Sequence, residues 1–468
     1  MKEALSRSLP RMRTAASWRW SPAKILTWPR VRRIQRMLYN FQVTIICLFV
    51  TVLVLRGTIG AGKFGTPAQD FRELRNHLPG TQRTMIEFKS PRVLEAHDRT
   101  LKAEKVTGKY DRNFDPVRFF DPNTENHILG EAVTDWDEQR TEYIMKNGRN
   151  GNLTQNGKPR ILLVSGSQPK PCDNPNGDYL MLKNLKNKVD YCRLHDIEIF
   201  YNMAHLDKEM SGFWAKLPLI RKLMLAHPDI EWIWWMDSDA FFTDMEFELP
   251  MEKYDDYNLV LHGWNDMLYR QKSWIGLNTG SFLIRNCQWS LDILDSWAPY
   301  GPIGKPRTEG GKLLTKQLAG RPDFEADDQS ALIYLLITQK EKWAEKTYLE
   351  SSFYLHGYWV ILVESFEKMM EENHPGVGDE RWPFVTHFVG CKPCHGSSGD
   401  YTAERCTTQM ERAFNFADNQ VLRAYGYHHP DLESYDVKKT IPSQPDTPKF
   451  LRGNVDKLTR PTYLERNI

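Results

Sequence analysis

Glu231-Trp-Ile-Trp-Trp-Met-Asp237-Ser238-Asp239-Ala240 decides the fold of this chain. Trp232 to Met236 read as a buried strand, since a solvated turn is not preceded by such a run of large apolar side chains, and the strand ends in two carboxylates. Residues two apart on a strand point to the same side, so Asp237 and Asp239 converge while Ser238 faces away. Hard oxygen ligands at the carboxyl end of an interior strand suit Mn²⁺ or Mg²⁺. Open α/β sheets bind their ligands at that end. An ion held there bridges to a diphosphate and stabilises it as a leaving group. The stretch reads as a metal and nucleotide-sugar site.

Upstream, the pattern alternates. Arg160 to Ser167 reads as a first buried strand, Tyr179 to Leu194 as a helix, Ile197 to Asn202 as a second strand, and Trp214 to Ala226 as the helix leading into Trp232. Strands alternating with helices indicate a parallel sheet in α/β style. The first strand breaks into Ser165-Gly166-Ser167. A nucleotide can approach the backbone closely there, although any strand-to-helix turn favours Gly and Ser.

Downstream, Asn258 to His262 is a further strand, and Ser273 to Arg285 carries Gly276, Thr279, Gly280 and Ser281 among large residues. Glycines inside a strand mark close approach by a ligand or another backbone. Gln288 to Trp297 is an amphipathic helix, and Asp327-Asp328-Gln329-Ser330 precede the apolar helix Ala331 to Ile337. The two carboxylates read equally as helix caps and as groups beside a reacting sugar carbon. His387, in the short apolar strand Val385 to Val389, reads as a core histidine or as a further ligand to Mn²⁺. Lys392 reads as a surface lysine or as a cation that neutralises a departing diphosphate.

The chain has 468 residues, 41% of them hydrophobic, enough for a sizeable core. Its net charge of +2 conceals an uneven distribution. Residues 1–37 hold ten Lys and Arg against the single acid Glu3, and the remainder is mildly acidic, so no nucleic-acid partner is expected. Leu38 to Leu55 is uncharged and bounded by Arg36 and Arg56. As a helix it spans roughly 27 Å, about the thickness of an early secretory membrane. Positive charge stays cytosolic, so residues 38–56 read as a type II signal anchor of a single-pass Golgi protein with a luminal body. Residues 57–155 read as a stem, with a short helical piece at Asp70 to His77, 156–435 as the catalytic domain and 436–468 as a tail. Asn152-Leu153-Thr154 is an N-glycosylation sequon, with Asn152 as acceptor.

Cys47 lies in the apolar run, leaving Cys172, Cys192, Cys287, Cys391, Cys394 and Cys406 for the lumen. One to three disulfides fit that count. Only Cys406 follows Cys391-Lys-Pro-Cys394, so no Cys₄ zinc site is completed. The short separation favours a bridge between Cys394 and Cys406.

Tyr191-Cys-Arg-Leu-His195, Trp214-Ala-Lys-Leu-Pro218, Trp234 to Ala240 and Leu277-Asn-Thr-Gly-Ser-Phe282 resemble the plant xyloglucan 6-xylosyltransferases. So do Phe324 to Ser330, Thr386 to Cys394, Ala413 to Gln420 and, after the anchor, Arg56 to Gly65. The likeness covers about residues 130–435. It implies a GT-A fold, Rossmann-like and nucleotide-sugar-binding, and a Mn²⁺-dependent, retaining transfer of xylose from UDP-xylose to O6 of glucose in a β-1,4-glucan. On the matching positions, Asp237, Asp239 and His387 would hold Mn²⁺, and Ser165, Gly166, Ser167 and Ser238 would lie around UDP. Asp327, Asp328 and Gln329 would face the xylose or the acceptor, Lys392 the diphosphate, and Trp274, Asn278, Thr279 and Gly280 would line the cleft. One departure is local: where the family commonly has Gly-Asp-His-Tyr, this chain has Gly177-Asp178-Tyr179-Leu180. The galactomannan galactosyltransferases share these motifs, so UDP-galactose transfer is the alternative activity. A non-catalytic partner in a Golgi glycosyltransferase complex is another. Homo- or hetero-oligomers with other xyloglucan-synthesising enzymes stay open.

Overall fold

The computed structural model describes residues 128–147, 151–395, 401–440 and 458. The basic arm, the anchor, most of the stem with its helical piece, and most of the tail lie outside these residues. Among the described residues no helix is long and apolar enough to cross a membrane.

The fold is mixed α/β. The central sheet runs in the order β2-β1-β3-β6-β5-β7, built from β1 (Ile161–Gly166), β2 (Glu198–Asn202), β3 (Trp232–Met236), β5 (Leu259–Gly263), β6 (Leu277–Arg285) and β7 (Thr347–Glu350). A smaller sheet, in the order β4-β9-β8, joins β4 (Ala240–Phe242), β8 (Gly357–Tyr358) and β9 (Val385–His387). The principal helices are α1 (Trp136–Lys146), α2 (Pro175–Leu194), α3 (Lys216–Ala226), α4 (Gln288–Trp297), α5 (Lys305–Gln317), α6 (Asp328–Thr338) and α7 (Ala403–Ala424).

β3 is buried along its whole length because both faces of the sheet are covered. Ile233 and Trp235 face a core with Leu217 and Ile220 of α3, Leu291 and Leu294 of α4, and Leu332 and Leu336 of α6. Trp232, Trp234 and Met236 face a second core with Tyr191 of α2 and Ala417 and Val421 of α7. Burial of each such large side chain contributes about 1.5–3 kcal/mol, so β3 is firmly fixed at the site it leads to.

The expectation of a parallel sheet holds for part of it and is corrected at β6. β1 pairs in parallel with β2 and β3, but β6 runs antiparallel to both neighbours, with Phe282 opposite Trp235 and Leu261. A parallel return needs a crossover, usually a helix. The chain between β5 and β6 holds only one short helical turn, Asp266–Arg270, so β6 runs back beside β5. α1, which precedes residue 156, packs on this body. Trp136 of α1 is buried in the first core, and its indole donates to Asn286 Oδ1 at 2.8 Å.

The disulfide expectation is corrected as well. The bridges are Cys172–Cys394 and Cys391–Cys406. The start of α2 packs on the turn Pro393–His395: Asn174 Nδ2 donates to the Pro393 carbonyl at 3.0 Å, and the Asp173 N–H to the Cys394 carbonyl at 3.0 Å. That contact delivers Cys394 to Cys172 and leaves Cys391 to Cys406 on α7. Cys192 and Cys287 are free.

Candidate active site

Asp237 extends the β3 pairing, its N–H donating to the Gly280 carbonyl of β6 at 2.7 Å. Residues 237–239 then turn rather than continue the strand, and the Ala240 N–H donates to the Asp237 carbonyl at 3.2 Å. The two carboxylates therefore converge, but through a turn and not through strand pleating. Pairing of β4 with β9 sets Ala240 opposite His387. This register brings His387 Nε2 to 3.1 Å from Asp239 Oδ1 and 3.8 Å from Asp237 Oδ2. Gly280 makes room for the imidazole, since a Cβ there would lie 2.0 Å from His387 Cε1.

The three groups present ligand atoms within 4.8 Å of one another. His387 is buried, while both carboxylates reach the cavity and stay partly exposed. Burial pulls the imidazole pKa down, but Asp239 and Asp237 outweigh it and the net direction is upward. Two carboxylates and an imidazole form a donor set that fits a divalent cation of the Mn²⁺ or Mg²⁺ kind.

On the far side of Asp237 lies a fully buried lysine. Lys216, the first residue of α3, places Nζ 2.8 Å from Asp328 Oδ2, 3.3 Å from Asp237 Oδ1 and 3.0 Å from the Thr279 carbonyl. Burial opposes its charge, yet Asp237 and Asp328 overcome that and hold the ammonium above its ordinary range. Thr279 Oγ1 donates to the same Asp328 oxygen at 2.9 Å, and the Trp235 indole donates to Asp237 Oδ1 at 2.6 Å. Burial raises the Asp328 carboxyl, and Lys216 opposes that rise.

Asp327 and Asp328 face different partners. Asp327 caps α6: its Oδ1 accepts from the Ser330 N–H at 2.8 Å and its Oδ2 from Arg321 Nη2 at 2.9 Å. Asp328, one residue on, is turned to Lys216 and Thr279. Gln329 receives the Asn278 amide at 3.0 Å and donates to the Trp274 carbonyl at 2.9 Å, which ties α6 to β6 across the site.

These groups surround one cavity of about 400 Å³. Of the residues singled out in the sequence, Asp237, Asp239, Trp274, Asn278, Thr279, Gly280, Asp327, Asp328, Gln329 and His387 line it. Ser165, Gly166, Ser167, Ser238 and Lys392 do not. Ser165 is buried at the end of β1, its hydroxyl unpartnered, and the close approach at Gly166 comes from the Asn202 backbone of β2, where a Cβ would meet the carbonyl oxygen at 2.4 Å. Ser167 donates its N–H to that same carbonyl at 3.0 Å. Lys392 is exposed on the loop after β9. Asn152 is half-buried, with its amide donating to Glu231 Oε2 at 3.0 Å.

His262 and His356 also line the cavity, and sequence reasoning assigned no role to them or to Lys216. Lys216 carries one signal in the sequence: a charge at the start of a helix whose next four residues, Leu217 to Ile220, are apolar. The two histidines carry no comparable local pattern.

The model of the galactosyl transferase GMA12/MNN10 family matches residues 157–398. The chain is 58% identical to xyloglucan 6-xylosyltransferase 2 of Arabidopsis thaliana over 88% of its own length and 91% of that protein. It is 58% identical to xyloglucan 6-xylosyltransferase 1 of the same plant, over 90% and 93%. A protein of Oryza sativa subsp. indica described as probable xyloglucan 6-xylosyltransferase 1 is 55% identical, over 90% and 93%. Among solved structures, a glycosyltransferase involved in glycosylation of the major capsid of PBCV-1 is similar over 54% of this chain and 99% of its own, at 13% identity and a TM-score of 0.33.

Proposed function

The chain belongs to the galactosyl transferase GMA12/MNN10 family of glycosyltransferases, and on that premise we propose that it transfers xylose from UDP-xylose to O6 of glucose residues in a β-1,4-glucan during xyloglucan biosynthesis. The donor and acceptor follow the names of its relatives, and we read the mixed α/β body as a GT-A domain. One geometric observation carries the chemistry. The candidate cation ligands Asp237, Asp239 and His387 share a cavity with Asp328, which Lys216 holds beside them.

A divalent ion, Mn²⁺ in this reading, would be held by Asp237, Asp239 and His387 and would supply positive charge for a diphosphate. Lys216 holds Asp328 in place and favours its charged form against the effect of burial. Asp328 in turn faces the space where positive charge develops on the transferring sugar, and a fixed negative group there lowers the barrier. Asn278 and Gln329, bonded to each other, are placed to read sugar hydroxyls. Asp327 has one oxygen occupied in capping α6 and the other in binding Arg321, and acts by holding Asp328 in place. Lys392, on the exposed loop after β9, would neutralise the departing diphosphate. Retention at the anomeric carbon fits a carboxylate in the position of Asp328, through a covalent intermediate or same-face attack.

We further read residues 38–56 as the signal anchor of a single-pass type II Golgi protein. The ten Lys and Arg before it and the uncharged run from Leu38 to Leu55 support this.

The full-length protein, incubated with a cello-oligosaccharide and either UDP-xylose or UDP-galactose, tests the reading by product mass. Pentose addition from UDP-xylose alone, lost with EDTA and restored by Mn²⁺, is the expected result. Hexose addition to a manno-oligosaccharide would assign the sibling activity instead. UDP binding without transfer from either donor would leave a non-catalytic partner.

A further inference from the structure

We propose that His356 is a positioning residue that fixes the tautomer and ring orientation of His387, so that His387 offers an unprotonated Nε2 to a divalent ion. The proposal rests on the reading of Asp237, Asp239 and His387 as a cation site.

His356 Nδ1 and His387 Nδ1 lie 2.9 Å apart. Two imidazole nitrogens at that distance form a hydrogen bond only when one of them carries hydrogen and the other does not. The opposite nitrogen of His387, Nε2, is the one that faces the two carboxylates. For Nε2 to serve as a ligand through its lone pair, the proton of the neutral ring must sit on Nδ1. His387 is then the donor, and His356 Nδ1 the acceptor. His356 must in consequence be the Nε2–H tautomer.

The 2.9 Å contact also fixes orientation. β8 pairs in parallel with β9, Tyr358 opposite His387, which brings His356 of the preceding turn beside the ring. The two rings meet edge to face, with centroids 4.9 Å apart and planes at 89°. Gly280 confines the other side of the ring at Cε1. Metal-bound histidines are commonly held in this way through their second nitrogen, and loss of such a partner typically weakens metal affinity by 10–100-fold. Here the partner is a second imidazole, contributed by a different strand pair from the carboxylates.

Mn²⁺ binding to the full-length protein, measured by calorimetry without donor or acceptor, tests this alongside unfolding midpoints of the metal-free proteins. His356→Phe keeps a ring of similar shape and removes the acceptor, and Mn²⁺ affinity is expected to fall by about 10–100-fold. His356→Asn can present an oxygen near the position of Nδ1 and is expected to recover most of that loss. Unchanged affinity in folded His356→Phe overturns the proposal, as does an Asn variant that folds but binds no better than the Phe variant. Should His356→Phe fail to fold, nitrogen chemical shifts of labelled histidine in the unaltered protein decide. A proton on His356 Nε2 and none on Nδ1 supports the proposal, and the reverse overturns it. Absence of Mn²⁺ binding by the unaltered protein would overturn the cation site itself, and the proposal with it.

Discussion

The Lys216 ammonium lies between two carboxylates from different elements, 2.8 Å from Asp328 Oδ2 at the start of α6 and 3.3 Å from Asp237 Oδ1 at the end of β3. One buried cation therefore couples the candidate metal ligand to the carboxylate proposed to face the sugar. Neither carboxylate can shift without disturbing the other.

Lys216→Met retains the length of the side chain and removes the charge. Breaking a buried ion pair by removing one partner costs about 3–5 kcal/mol, and denaturant titration should show a loss in that range. Transfer is expected to fall by about 10²-fold or more, the scale on which single preorganised charges act. A variant with near-normal initial rates would remove Lys216 from the site's chemistry.

Gly280→Ala tests the seat of His387. The added Cβ meets the imidazole at 2.0 Å, far inside van der Waals contact, so the ring must move away from the carboxylates. The expected outcome is a stability loss of about 1–3 kcal/mol from overpacking, together with weaker Mn²⁺ binding by calorimetry. Unchanged Mn²⁺ affinity would show that the ring is not held where the cation site needs it.

A pH dependence follows from Glu246, whose carboxyl is pushed up from 4.5 to about 7 by burial and by Asp244, with His374 opposing. Its Oε1 is buried without a partner. Because the folded pKa lies above the unfolded one, the folded protein binds more protons between these values. Stability from this group is full below about pH 4.5 and is lost as pH rises through about 7. Glu246→Gln is expected to stabilise the protein at pH 8 by about 1 kcal/mol, allowing for screening at a half-exposed site. The two proteins should unfold alike below the lower value, and a constant gap at every pH would reject the assignment.

The disulfide pairing is checked by peptide mapping without reduction, which should recover Cys172 joined to Cys394 and Cys391 to Cys406. Replacing Cys391 and Cys406 together by Ser opens a closure spanning 15 residues. The expected loss is about 3 kcal/mol, read from the denaturation midpoint.

Much of this was legible from local pattern. The five residues of β3 and the bounds of α4 stand where the run of tryptophans and the helical period put them. Convergence of Asp237 and Asp239 was anticipated on strand pleating and is achieved by a turn instead. What the sequence did not display depends on pairings between distant segments. β6 is antiparallel because of how the chain leaves β5, and Cys394 finds a partner 222 residues away because α2 docks on its turn. Lys216 and His356 acquire their roles only when α3 meets α6 and β8 meets β9. Neither contact has a local period to reveal it.

The cysteine pairing also sets an order of events during maturation. Cys391 and Cys394 compete for Cys406 across loops that differ by only three residues, and closure entropy hardly separates such loops. The native bridge from Cys394 must wait for Cys172 to be brought near by folding of the whole body. An early Cys394–Cys406 link is therefore a trap that is easy to enter, and leaving it requires thiol–disulfide exchange. Yield of the correctly bridged protein should accordingly respond to the isomerase capacity of the host as well as to its oxidising strength.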